Sequence, residues 1–181
     1  MKFLIVLGTA RENRSSVGPA KAVSKEFEAE GHSVEFFDLK EKSIPPLGNR
    51  TYKEDEEPIP EDIQDFSEKV DGCDGLILAA PEYNHSIPGT LKNALDYLYP
   101  EYDDKPFMYV PVSAGSFGGI RCLNHLHDIT IGLGGLPGPD LPISNVHDSF
   151  AKDGEVLDED YIGRIERFVE KSVEFTRKNQ E

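Results

Sequence analysis

Residues 75–98 read GLILAAPEYNHSIPGTLKNALDYL, and the order of textures in this stretch decides the fold. Gly75 to Ala80 is an unbroken apolar run of strand length. It lacks the polar alternation of a sheet with one wet face, so it reads as a strand buried on both faces. Pro81 stops the strand, and Pro88 and Gly89 open a helix on which Leu91, Ala94, Leu95 and Leu98 align at helical spacing. Strand, polar loop and helix in this order form the crossover that a parallel sheet requires.

The same unit recurs to either side. Upstream, Phe3 to Leu7 is a second buried strand. Ser16 can cap the following helix, Pro19 suits its first turn, Ala20, Val23 and Phe27 share a face, and Gly31 supplies a stop. Ser33 to Asp38 forms another strand, Leu39 to Pro60 is a polar, proline-bearing loop, and Ile63, Phe66 and Val70 mark a short helix. Downstream, Phe107 to Val112 is a strand and Ile120 to Ile131 a helix. The passage GLGGLPGPDLP then leads into a fifth strand around Leu141 to Val146. The last helix starts near Asp158, turns Ile162, Ile165, Phe168 and Val173 inward, and ends on Arg177 and Lys178, as its dipole favours. Five β-α units predict a single α/β domain over 1–181, with a parallel sheet covered on both faces. Ligands of such sheets collect at the carboxyl ends of the strands, near the point where strand order reverses. The exits of the first, third and fourth strands should therefore carry the chemistry.

Bulk properties narrow the function. A chain of 181 residues is large enough for one full core. No stretch approaches the roughly 20 apolar residues of a membrane span. Met1-Lys2 and the run Phe3 to Leu7 faintly imitate a signal peptide, but an h-region needs about 7 to 15 apolar residues. The expectation is a cytoplasmic protein. Cys73 and Cys122 lie far apart in no metal-type spacing and read as plain buried thiols, with no metal site and no disulfide. The net charge of −15 argues against nucleic acid and anionic membrane partners. Part of it sits in the run Glu54-Asp55-Glu56-Glu57. Such a surface is either simply well solvated or adapted to high salt, where screening over about 3 Å at 1 M relieves self-repulsion. Adaptation predicts a higher melting temperature in molar salt than in dilute buffer, and a flat salt response in thermal melts rules it out.

Three loops hold candidate site residues. GTARENRSSVG, Gly8 to Gly18, leaves a parallel strand for a helix N-terminus, where free N–H groups and the dipole favour an anion. Thr9 and Ser16 add hydroxyls, and Arg11 and Arg14 add charge suited to paired donation to phosphate. The loop has neither G-x-G-x-x-G nor GK[ST], which favours a phosphate monoester over a pyrophosphate; a solvated loop with a helix cap is the plain alternative. PEYNHSIPG places Glu82, Tyr83, Asn84 and His85 at a strand's carboxyl end, where a flat heteroaromatic can stack, or where the loop is only a capped turn with His85 bonding locally. SAGSFGGIR, Ser113 to Arg121, offers Gly115, Gly118 and Gly119 for close backbone approach and a helix start suited to negative charge, or a glycine turn that serves chain reversal alone.

Together GTARENRSS, PEYNHSIPGTLKNALDYL and SAGSFGGIR resemble the NAD(P)H-dependent FMN reductase family, which includes chromate, quinone and azo-dye reductases. The pattern PEYN-x-x-x-PG-x-LKNA-x-D carries most of the specificity, and the likeness spans about Lys2 to Val146. The resemblance implies a flavodoxin-like three-layer sandwich with a five-stranded parallel sheet in the order 2-1-3-4-5. It implies FMN as cofactor and NADPH or NADH as co-substrate, with hydride passing through FMN to a small acceptor such as a quinone, flavin, azo compound or metal oxyanion. No side chain is then a catalytic acid or base, since the flavin carries the chemistry. Mapped onto this chain, the FMN phosphate falls on Thr9, Arg11 and Ser16 with Val17 as a backbone contact. The ribityl chain and ring fall on Pro81, Glu82, Tyr83 and Asn84, and the ring edge on Ser113, Gly115, Ser116, Gly118 and Gly119. Arg121 is the candidate partner for a 2′-phosphate. A homodimer or homotetramer is implied as well. The chain departs from the family pattern in having Thr9 where Ser is common and in lacking the shorter S-x-R-x-x-S-x-N loop, so Arg14 and Ser15 receive no role. The competing classes are an electron carrier of flavodoxin type, whose T-x-T-G-x-T loop is missing here, and a flavin-binding module without turnover.

Overall fold

Strand and helix alternate because each strand must be covered on two sides. In a computed structural model, which describes residues 1–48 and 58–180, five strands form one parallel sheet: β1 (Lys2–Leu7), β2 (Ser33–Asp38), β3 (Gly75–Pro81), β4 (Pro106–Val112) and β5 (Leu136–Asp140). Their order is β2-β1-β3-β4-β5, so the direction of winding reverses between β1 and β3. The predicted order is observed. The six helices among the described residues are α1 (Val17–Ala29), α2 (Glu61–Asp71), α3 (Gly89–Tyr97), α4 (Ile120–Gly132), α5 (Val146–Ser149) and α6 (Ile162–Lys178).

Alternate strand residues feed two separate cores, which is why the strands read as uniformly apolar. Leu4, Val6, Leu76, Leu78, Phe107 and Tyr109 meet Ile63 and Phe66 of α2, Leu91 and Leu95 of α3, and Leu123 and Leu126 of α4. Phe3, Ile5, Ile77, Met108 and Val110 point the other way, to Val23 and Phe27 of α1 and Ile165, Phe168 and Val169 of α6. Both thiols lie inside this packing. Burial pushes Cys73 up to about 11 and Cys122 up to about 12, so neither is a thiolate at neutral pH.

The fifth strand differs from its sequence expectation. It occupies Leu136–Asp140, not Leu141 to Val146. Pro137 and Pro139 argue against a central strand, but β5 is the edge of the sheet and pairs only with β4, where missing donors are tolerated. The expected segment does continue the ladder: Leu141 donates to the Tyr109 carbonyl and Ile143 to the Pro111 carbonyl, each at 2.8 Å. Two smaller differences concern helix edges. Ile162 opens α6 48 % exposed rather than inward, because a short 3-10 turn, Glu159–Tyr161, precedes it and directs Tyr161 into the core instead. Ser16 stands at the N-cap of α1 but makes no side-chain capping bond. The acidic run Glu54 to Glu57 and the central part of the Leu39 to Pro60 loop lie outside the described residues.

Candidate functional site

Register brings three strand exits to one level: Leu7 pairs with Ala79, and Pro81 with Val112. Between the loops that leave them is a cavity of about 360 Å³. The first loop contributes Arg11, Asn13, Arg14 and Ser15, the second Pro81, Glu82 and Tyr83, and the third Val112 and Ala114; Val146 and His147 of α5 complete the wall. The first, third and fourth strand exits do converge.

The first loop is tied to the second. Thr9, 1 % exposed, places Oγ1 2.6 Å from the Tyr83 hydroxyl, which fixes the phenol ring at the cavity wall. The Arg11 guanidinium lies 5.6 Å from the centre of the same ring and forms no ion pair among the described residues. Arg14 behaves differently. It pairs with the Asp38 carboxylate at the end of β2 and donates to the Thr9 carbonyl at 3.4 Å, so its charge is committed to holding the loop against β2. Ser16, next in the chain to the lining residue Ser15, is fully buried, and its hydroxyl has no hydrogen-bond partner among the described residues. A buried, unmet hydroxyl costs stability unless something completes it. Val17 is the first residue of α1.

The second loop is a tight hairpin. Tyr83 and Ser86 exchange backbone hydrogen bonds of 2.9 and 3.0 Å across the two residues Asn84 and His85, whose φ angles are 49° and 67°. Both central residues being left-handed identifies a type I′ turn, a conformation for which Asn and His are better suited than most side chains. This puts Asn84 and His85 at an exposed tip rather than in the cavity wall. The local bond belongs to Ser86, whose Oγ lies 2.8 Å from Nδ1 of His125 on α4.

Glu82 carries an unforeseen contact. Its carboxylate accepts from the backbone N–H groups of Arg121 and Cys122 at 3.2 and 3.4 Å, and lies 3.7 Å from the Arg121 guanidinium. The N-terminus of α4 therefore already holds an anionic side chain from the neighbouring loop, instead of opening toward a ligand. Arg121, paired with Glu82 and lying 5.1 Å over the Phe117 ring, is committed too. Gly118 and Gly119 adopt φ of 62° and 71°, and a Cβ on them would stand 3.0 Å from Pro142 and 3.1 Å from Pro111. Their glycines serve the turn and its close packing. Ser113 and Gly115 form a small turn at the rim, with the Gly115 N–H donating to Ser113 Oγ at 3.0 Å, and Ser116 is exposed in the same loop.

Of the predicted residues, then, Arg11, Pro81, Glu82 and Tyr83 line the cavity, and Thr9 supports it through Tyr83. Asn13, Ala114, Val146 and His147 were not anticipated. Val146 and His147 lie outside the first, third and fourth strand exits, where the sequence points to the site. Among the described residues there is no cluster of His, Cys, Asp and Glu fit to hold a metal ion, and no helix long and apolar enough to cross a membrane.

Comparison with known proteins adds an independent line. An FMN-dependent NADPH-azoreductase of Staphylococcus aureus is 34% identical over 97% of this chain and 95% of its own length. A subunit of an NADH:(hydroxy)cinnamate reductase from Vibrio ruber is 26% identical, covering 97% of this chain and 87% of its own. The flavoenzyme NAD(P)H:(acceptor) oxidoreductase FerB from Paracoccus denitrificans superposes with a TM-score of 0.81 at 22% identity, over 98% of both chains, and so shares the fold. The family model for NADPH-dependent FMN reductase matches residues 1–148, and the chain belongs to that family, as an FMN-dependent oxidoreductase that draws on NAD(P)H.

Proposed function

We propose that the cavity between the three strand exits seats the FMN, with Arg11 and the start of α1 on its phosphate and Tyr83 beside its ring system, and that the open side admits a small acceptor: a quinone, flavin, azo compound or metal oxyanion. The observation that carries this placement is the convergence of Arg11, Tyr83 and Ala114, from three separate loops, on one cavity of about 360 Å³. Bound FMN supplies the hydride chemistry. The protein binds and orients. Among the described residues Arg11 offers a charge that no carboxylate takes up and Ser16 a hydroxyl with no partner, and α1 offers the positive end of its dipole. Thr9 holds the Tyr83 ring in place, and the turn at Ser113 and Gly115 sets the rim. Glu82 positions the second loop against α4 rather than meeting the ligand by its carboxylate.

The unmet hydroxyl gives a test of opposite signs. Ser16→Ala removes a buried group with no partner, so the apoprotein should melt at an unchanged or slightly higher temperature. FMN should bind more weakly by about 1 kcal/mol, the worth of one hydrogen bond. Flavin fluorescence quenching gives the affinity and calorimetry the melt; a variant that destabilises the apoprotein and binds FMN normally contradicts the placement.

Turnover is checked by stopped-flow oxidation of NADPH and NADH by the yellow holoprotein, followed by an acceptor panel. Slow oxidation of both nicotinamides favours an electron carrier. A homodimer or homotetramer belongs to the same proposal, supported by the exposed apolar residues Phe117, Ile120 and Ile131 on and beside α4. So does a cytoplasmic setting, supported by two cysteines that stay free thiols.

A further inference from the structure

A second cavity, of about 470 Å³, opens on the far edge of the sheet, between the end of β5 and α6. Its α6 wall presents Arg164, Arg167 and Lys171, spaced i, i+3 and i+7 so that all three share one stripe of the helix. Acids are plentiful in a chain of net charge −15, and on α6 itself Glu170 stands three residues from Arg167 and Glu174 three from Lys171, but neither they nor Glu166 line the cavity.

None of the three cations forms an ion pair among the described residues. Asp140, on the facing wall, does not reach them either. Arg164 is half-buried and held in place: Nη2 donates to the Pro142 carbonyl at 2.7 Å, and the guanidinium lies 4.2 Å over the Tyr161 ring. Both partners are neutral, so the orientation is fixed while the positive charge is left unmatched. The facing rim at Pro142 has no N–H to offer and backs onto Gly118 of the third loop.

We propose that this groove is a binding site for a phosphate-bearing small molecule, with Arg164 as its anchored donor and Arg167 and Lys171 closing on the remaining oxygens. Paired guanidinium donors and an ammonium in one groove suit a phosphate dianion. Two sources share that chemistry: the 2′-phosphate end of NADPH, or a separate phosphorylated small molecule. Only the first rests on the oxidoreductase reading above.

The test uses the FMN-loaded protein, so that the flavin site is filled, and inorganic pyrophosphate as probe. Pyrophosphate should raise the melting temperature of the wild type and of Lys178→Gln, a change on the same helix at a cation already paired with Glu174. It should bind Arg167→Gln/Lys171→Gln at least about tenfold more weakly, the scale of one lost charged hydrogen bond. Absence of any shift in the wild type, or the same shift in all three proteins, overturns the site. Steady-state kinetics of the double variant identify the source. A KM for NADPH that rises about tenfold while that for NADH holds assigns the co-substrate; two unchanged KM values with pyrophosphate protection lost assign a separate phosphorylated molecule.

Discussion

Replacement of Arg11 by Ala should weaken FMN retention by about 1.5–3 kcal/mol, roughly 10- to 150-fold in Kd, while the apoprotein melts as before. The first loop holds two arginines, and only one is available. Arg14 is spent on Asp38 and the Thr9 carbonyl; Arg11 is exposed, faces the Tyr83 ring and pairs with no carboxylate among the described residues. Its removal therefore costs the fold only the exposed contact with the Tyr83 ring, and takes from the site its one uncommitted charge in that loop. Arg11→Lys should recover part of the affinity, since an ammonium keeps the charge but loses the paired donor geometry. Fluorescence titration of apoprotein with FMN measures both, and an Arg11→Ala protein that binds FMN as tightly as wild type removes Arg11 from the site.

The largest loss of stability is expected at Gly18. This residue lies in the first turn of α1, and a Cβ there would stand 2.4 Å from the Ala151 carbonyl oxygen and 3.3 Å from Phe150 Cβ. The nearest atom is backbone and cannot swing aside. Gly18→Val forces the helix start away from the segment after α5, at a cost of about 3 kcal/mol or more, which for a domain of this size lowers Tm by roughly 6–12 °C. Because α1 begins at the proposed phosphate position, FMN affinity should fall with it. Gly163→Ala is the matched control: it too is near a helix start, nothing lies within 4 Å of its Cβ position, and the exchange should be neutral or slightly stabilising. Differential scanning calorimetry of the two variants separates them; equal melting temperatures would show that the helix start is not close-packed.

The alternation of buried strand and helix was legible because a parallel sheet imposes it at every step. GLILAA has no polar residue to spare for a wet face, and Ile77 and Leu78 do enter opposite cores. The positions of the three loops followed from the same logic. Two things did not. Leu136–Asp140 carries prolines that are acceptable only at a sheet edge, and edge position is a property of the assembled sheet rather than of the segment. The destination of Glu82 was equally hidden. Its carboxylate meets N–H groups some forty residues away, a pairing set by how closely α4 approaches the end of β3. A single-sequence reading sees an acid in a loop and a helix start with free donors, and has no means of matching them.

The pairing of Arg14 with Asp38 makes the neighbouring strand a control point for the proposed cofactor pocket. Asp38 does not itself line the pocket, yet its pairing with Arg14 decides whether the first loop presents one cation or two. Retention of an anion there should therefore be adjustable from the end of β2, by altering a carboxylate outside the cavity wall, with every lining residue left as it is.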